Sequence, residues 1–98
     1  MQIKKTKENQ KLTISISGRV DTPSAMEFEE SVFETLDGVT ELVFDMKDMS
    51  YLSSAGLRVI LIAYKQMKKQ GKMKLINVSD DIRDILDMTG FTDLYTIG

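Results

Sequence analysis

The 98-residue sequence contains no cysteine, no histidine and no tryptophan. Each absence closes a class of chemistry. Without cysteine there is no disulfide, thiolate zinc site, iron–sulfur cluster or thiol nucleophile. Without histidine the commonest general base and the commonest transition-metal ligand are missing. A Ser-His-Asp triad cannot be assembled, and only an oxygen-donor metal site stays open. Long apolar runs are missing too. The longest, Val59 to Tyr64, is far short of a membrane span. Met1 to Lys7 is basic but has no apolar stretch, so no secretory signal is expected and the expected location is the cytoplasm. Positive charge is not in excess. Thirteen Lys and Arg face fifteen Asp and Glu, a formal net charge of −2, which argues against a chain-wide attraction to nucleic acid.

What is present is the balance of an ordinary folded protein, with 42% hydrophobic and 29% charged residues. One domain over residues 1–98 is expected, near the small end of what buries a self-sufficient core. No repeat, low-complexity tract or linker interrupts it. The single proline and the six glycines punctuate the chain.

Residues 12–17, Leu-Thr-Ile-Ser-Ile-Ser, alternate strictly between apolar and hydroxyl, the period of a half-buried strand. Residues 2–6 are expected to pair with it through the polar turn around Lys7 to Gln10. Asp21-Thr22-Pro23 reads as a helix start, with Asp21 or Thr22 capping and Pro23 at the first helical position, where its missing N–H has no partner to lose. Ala25, Phe28, Val32 and Leu36 form its apolar stripe, and Asp37-Gly38 stops it. Glu27, Glu29, Glu30 and Glu34 lie mostly on the other face, where solvation accounts for them more simply than a partner does. Leu42-Val43-Phe44 reads as a buried strand that breaks into a polar loop at Asp45, Asp48 and Ser50. Residues 54–70 read as a deeply packed helix ended by Gly71. Met73 to Val78 is a further buried strand. Ser79 caps a third helix with Asp80 and Asp81 in its first turn, closed by Gly90. Phe91, Leu94, Tyr95 and Ile97 suggest a last strand or a docking tail. The fold class is α/β, a single mixed sheet of about four or five strands, an antiparallel N-terminal hairpin and then parallel strands, packed with about three or four helices.

The chemistry concentrates between Asp45 and Arg58, where a strand, a polar loop and a helix start follow one another. In open α/β sheets, sites form where strand ends meet helix N-termini. Ser53 and Ser54 stand where backbone N–H groups point out unpaired, and Gly56 leaves room for close approach. Capping alone would explain one of the two serines. Catalysis by either is not expected: there is no histidine base and no Ser-x-x-Lys spacing. The glycine spacing fits neither the P-loop nor the dinucleotide fingerprint. Asp21, Asp45 and Asp48 could hold a hard cation, but turn formation and capping explain them better, and neither a metal nor a cofactor is expected. The lysine groups Lys4, Lys5 and Lys7, and Lys65, Lys68, Lys69, Lys72 and Lys74, lack interleaved aromatics and read as solvating charge. The seven methionines are expected mostly in or near the core. Met46 and Met49 flank the loop before the serines and would make a soft contact surface if exposed.

Gly18-Arg19-Val20-Asp21 after an alternating strand is similar to the Gly-x-Leu-Asp step of the STAS domain. Leu42 to Leu57, with Ser53-Ser54-Ala55-Gly56, resembles that family's strand, loop and phosphorylation segment, and Met88-Thr89-Gly90-Phe91 resembles its ending. The similarity covers essentially the whole chain and is to the stand-alone bacterial anti-sigma factor antagonists. Sulfate transporters carry the same domain as a cytoplasmic tail, but no transporter segment is expected here. The resemblance implies a STAS-like fold and a non-enzymatic partner switch. The unphosphorylated domain would bind an anti-sigma factor that is often also a serine kinase, phosphorylation would release it, and a serine phosphatase would reset it. Aligned by the glycine, the phosphoacceptor would be Ser54. Ser53 replaces the usual aspartate and is a second candidate acceptor. The implied partner-binding set is Asp21, Thr22, Asp45, Asp48, Met49, Ser50, Tyr51, Leu52, Ser53, Ser54, Ala55, Gly56 and Arg58. Two alternatives stand beside it: an unphosphorylated STAS subunit of a transporter or signalling assembly, and a small-ligand or nucleotide-binding STAS domain.

Overall fold

The computed structural model describes residues 1–88 and the backbone of residues 96–97. The strands are β1 (Gln2–Glu8), β2 (Lys11–Val20), β3 (Glu41–Asp45), β4 (Met49–Leu52), β5 (Lys72–Ile76) and β6 (Thr96–Ile97), and the helices are α1 (Thr22–Phe33), α2 (Ser54–Gln70) and α3 (Asp80–Met88). The sheet runs β1-β2-β3-β5-β6, with β4 also paired to β2. Only β1 is antiparallel, through the expected hairpin, in register from Gln2 opposite Ser17 to Glu8 opposite Lys11. The remaining pairings are parallel because a helix intervenes between most successive strands.

The alternation in β2 does what its period demands. Leu12, Ile14 and Ile16 are buried, while Thr13, Ser15 and Ser17 on the other face are half-buried. The inward residues join Phe28 and Val32 of α1, Val59, Ile60, Ala63 and Met67 of α2, and Ile82 and Leu86 of α3 in one hydrophobic core. Phe28 meets Phe44 of β3 edge-on, with ring centroids 5.9 Å apart.

Helix α1 takes the first of the two expected caps, which makes Thr22 its first residue and Pro23 its second rather than its first, and it ends early. Asp21 is the N-cap, and Asp21 and Ser24 exchange hydrogen bonds as a capping box. The apolar stripe predicted a helix through Leu36, but the hydroxyl of Thr35 reaches back to the carbonyls of Ser31 and Val32, each at 3.4 Å. A β-branched residue bonding backwards weakens the next turn, and the helix stops at Phe33. Leu36 remains buried in the connection, and Gly38 turns the chain at φ 79°. Gln70, at the end of α2, fastens that connection by donating from Nε2 to the carbonyls of Leu36 (2.8 Å) and Val39 (2.6 Å). Gly71 then passes so close to Thr40 that a Cβ would overlap its carbonyl oxygen.

The polar loop expected after Asp45 is in part a strand. β3 runs along β2 from Lys11↔Glu41 to Ser15↔Asp45. A tight turn, closed by Met49 N–H donating to the Met46 carbonyl at 3.2 Å, interrupts it. The chain then rejoins β2 as β4, with Gly18 opposite Met49 and, after a bulge, Arg19 opposite Tyr51 and Val20 opposite Leu52. Each slip adds a residue to the outer chain and resets which side chains face inward. Leu42, Phe44, Met46, Met49 and Leu52 are consequently all buried. Met46 and Met49 therefore offer no contact surface. The methionines are mostly in or against the core, as expected; Met26 and Met88, 70% and 86% exposed, are the exceptions.

Ser79 caps α3 through Ile82 N–H at 3.3 Å. The closure at Gly90 and the contacts expected of Phe91, Leu94 and Tyr95 lie outside the described residues, as does the side chain of Ile97. The two-residue strand β6 pairs beside Lys74 and Leu75.

Candidate functional site

Two strands end side by side and each runs directly into a helix. Val20 closes β2 and Leu52 closes β4, and they are register partners. Asp21 and Ser53 follow as the caps of α1 and α2. Ser53 N–H donates to the Val20 carbonyl at 2.8 Å, which ties the two helix starts together. The site is thus a pair of adjacent helix N-termini at the carboxyl ends of parallel strands, the place where such sheets put their sites.

The adjacent serines are in different situations. Ser53 is only 6% exposed. Its hydroxyl accepts from Gly56 N–H at 3.1 Å, and its carbonyl accepts from Leu57 N–H at 2.9 Å. Ser54 is the first residue of α2 and is exposed. Gly56 fits beneath them because a Cβ there would come 2.7 Å from Val20 Cγ1 and 2.8 Å from Leu52 Cδ1. Its bare backbone lets α2 sit down on the ends of β2 and β4.

Around Ser54 the charges are mixed. The carboxyl of Asp21 is held below its ordinary value, chiefly by the Ser24 hydroxyl, then by the Ser24 backbone N–H, with the charge of Arg19 adding to both. Arg19 lies over the Tyr51 ring, 4.5 Å from its centroid, a cation–π contact across the β2–β4 pair. Arg58 is exposed one turn into α2. A shallow cleft of about 330 Å³ separates α1 from α2, with Thr22, Ala25, Met26 and Glu29 on one wall and Ala55, Arg58, Val59 and Ile62 on the other.

The residues singled out by sequence fall into three groups. Thr22, Asp48, Ser50, Tyr51, Ser54 and Arg58 are exposed, Asp21, Asp45 and Ala55 are half-buried, and Met49, Leu52, Ser53 and Gly56 are buried and support the surface from below. Asp45 is set apart from the helix starts. It stands opposite Ser15, six residues before Asp21 on β2, on the order of 20 Å of extended chain. Its carboxylate accepts from Lys47 N–H at 3.1 Å and from Asn77 Nδ2 at 3.0 Å, the work of a turn former. Asp48 contributes its carbonyl, which accepts from Gly18 N–H at 2.9 Å. Among the described residues no group of three or more acids gathers to hold a metal ion. Two features escaped the sequence reading. Arg19 becomes part of the site only through the unforeseen β2–β4 pairing. Met26 had a signal, because it falls off the Ala25–Phe28–Val32 stripe of α1.

Comparison with known proteins agrees with this architecture. A family model described as the STAS domain matches residues 1–98. An anti-sigma-B factor antagonist of Bacillus subtilis (strain 168) is 34% identical over 87 residues, which cover 88% of this chain and 80% of that protein. The anti-sigma factor antagonist SpoIIAA in its unphosphorylated form superposes with a TM-score of 0.86 at 15% identity, over 99% of this chain and 88% of that one. The phosphorylated form of SpoIIAA, a Bacillus cell fate determinant, does so with a TM-score of 0.78 at 15% identity, over 99% of this chain and 91% of that one. At that identity the two solved structures speak for the fold. No described helix is long and apolar enough to cross a membrane. The match along residues 1–98 and the 34% identity to the Bacillus subtilis antagonist establish that the chain belongs to the STAS domain family.

Proposed function

We propose that this protein is a non-enzymatic anti-sigma factor antagonist whose hold on its partner is controlled by phosphorylation of Ser54. The observation that carries the reading is the contrast between the two serines. Ser53 is buried and committed to the cap, whereas Ser54 presents an exposed hydroxyl at the first position of α2. The 34% identity to an anti-sigma-B factor antagonist supports an anti-sigma factor as the partner.

Phosphoryl transfer from a nucleoside triphosphate would form the bond from Ser54 Oγ to the γ-phosphorus and break the β–γ bridge. The nucleoside diphosphate leaves and the hydroxyl proton passes to a base on the kinase. The product adds about −1.5 to −2 charges and three acceptor oxygens. A helix N-terminus tolerates such an anion, because unpaired N–H groups and the helix dipole favour it. The free domain therefore keeps its fold. A docked partner would have to bury the new charge, which costs several kcal/mol unless it is paired. A loss of about 4 kcal/mol is about a thousandfold in affinity. The switch then works without backbone movement.

The test uses an anti-sigma factor kinase from the same genome. Incubated with it and ATP, the wild-type chain should gain one phosphate at Ser54 by mass spectrometry. Ser54→Ala should gain none and still bind, and Ser54→Asp should bind more weakly. If Ser54→Ala gains the same phosphate as wild type, the reading is wrong.

A further inference from the structure

Arg58 is an exposed cation of the site that makes no ion pair among the described residues. The salt bridges among the described residues join Lys5 to Glu34 and Lys11 to Glu41, and Arg58 belongs to neither. Arg19, the other arginine of the site, already lies over Tyr51 and acts on the carboxylate of Asp21. Arg58 follows Ser54 by four residues within one uninterrupted helix. Residues at that spacing are neighbours on one face.

We propose that Arg58 clamps the phosphoryl group of phosphorylated Ser54, so that one modification both adds negative charge and withdraws the free cation of the site from a partner. The proposal rests on Ser54 as the phosphoacceptor. Three features favour the pairing. Helical side chains lean toward the N-terminus, so the arm of Arg58 covers the turn that carries Ser54 and Ala55. Ala55 beside it is small and leaves that turn open. The order is also the favourable one, with the anion N-terminal to the cation and near the positive end of the helix dipole. A guanidinium fork matches two phosphate oxygens at once, which an ammonium does not.

Among the described residues the competing charges are few. Glu29 stands on the α1 wall of the same cleft, with no ion pair to Arg58 within 4.0 Å. Asp21 accepts from both the backbone N–H and the hydroxyl of Ser24. Asp48 lies before β4 and Arg19 on β2. A phosphate dianion one turn away outbids the singly charged Glu29 across the cleft. The clamp makes the off-state more than a repulsive charge. An acidic partner surface that used Arg58 would lose that anchor at the same moment.

The test installs phosphoserine at position 54 during translation, so that no kinase is required. The phosphate is titrated by phosphorus NMR in three backgrounds: Arg58 intact, Arg58→Lys and Arg58→Gln. The helix N-terminus acts equally in all three, so differences report the side chain at position 58. With Arg58 intact the second phosphate ionisation should fall about 0.3 unit or more below that of Arg58→Gln, with Arg58→Lys between them. The gap should shrink in high salt. Superimposable titrations for intact Arg58 and Arg58→Gln overturn the clamp, while leaving the kinase assay on Ser54 untouched. A kinase that modifies another residue overturns the Ser54 reading, while the titration still reports whether Arg58 holds a phosphate placed there.

Discussion

Truncating the two adjacent serines to alanine should have unequal consequences. Ser53→Ala removes the oxygen that accepts from Gly56 N–H at 3.1 Å. Losing an N-cap serine costs about 1 kcal/mol in typical hosts. Here the site is 6% exposed, so water does not readily take the place of the hydroxyl, and the Gly56 N–H is left without a partner. That moves the expected loss to about 1–2 kcal/mol. In a domain of this size each kcal/mol lowers Tm by about 4–8 °C. Ser54→Ala replaces an exposed first-turn residue by the best helix former and should stay within about 0.5 kcal/mol of wild type. Ser53→Asp keeps a good cap and should recover most of the stability lost in Ser53→Ala. Urea unfolding followed by circular dichroism reads all three. Equal midpoints for Ser53→Ala and Ser54→Ala would refute the assignment of one serine to the fold and the other to the surface.

Three further outcomes follow from the same contacts. Gly56→Ala trades a helix-propensity gain of about 1 kcal/mol against a Cβ pressed on Val20 Cγ1 at 2.7 Å and Leu52 Cδ1 at 2.8 Å. Val20 is stiff, so the variant should be net destabilised by about 1 kcal/mol or more in urea titration, and a stabilised variant would contradict the packing argument. Gly71→Ala drives a Cβ into the Thr40 carbonyl and should fail to fold or lose several kcal/mol, measured by soluble yield and thermal melting. Asp21→Asn tests the depressed carboxyl of the α1 cap. Above its ordinary value of 3.8 the carboxylate is ionised in folded and unfolded chains alike, and its contribution to stability is present in full. As pH falls, the unfolded chain takes up the proton first, and the contribution disappears by the time the folded carboxyl is protonated. Asparagine caps without ionising, so Asp21→Asn should show a flatter loss of stability between about pH 5 and pH 2. Parallel acid profiles for the two proteins would exclude the cap as their cause.

Much of this architecture was written in local patterns. The Leu12–Ser17 alternation, the Asp21-Thr22-Pro23 start and the long apolar face of α2 each follow from a single period or cap, and each is found where it was expected. What escaped depended on distant residues. β4 was hidden because two one-residue slips break the alternation between Asp45 and Leu52, so the segment shows no strand period of its own. The early end of α1 turned on one hydroxyl, that of Thr35, reaching back along the helix. At the site, the serine pair and Gly56 were conspicuous as a helix start. Which serine is buried depends on how α2 seats on Val20 and Leu52, and that is a matter of tertiary packing. The separation of Asp45 from Asp21 is likewise a property of the β2–β3 register.

The interruption between β3 and β4 also bears on how the molecule assembles. The β1–β2 hairpin brings together residues close in sequence, whereas the pairings of β2 with β3 and of β3 with β5 join residues about 30 apart and must close long loops first. A chain emerging from its N-terminus thus has the hairpin ready, and each later strand finds an edge already laid. β4 offers no edge in the β1-β2-β3-β5 path; it fills the remaining stretch of β2 and stops. Its pairing of Gly18 with Met49 spans a loop as long as the others, and Met49 and Leu52 anchor it in the core, so the serine-bearing helix start is a keystone: moving it would shift the stones on either side.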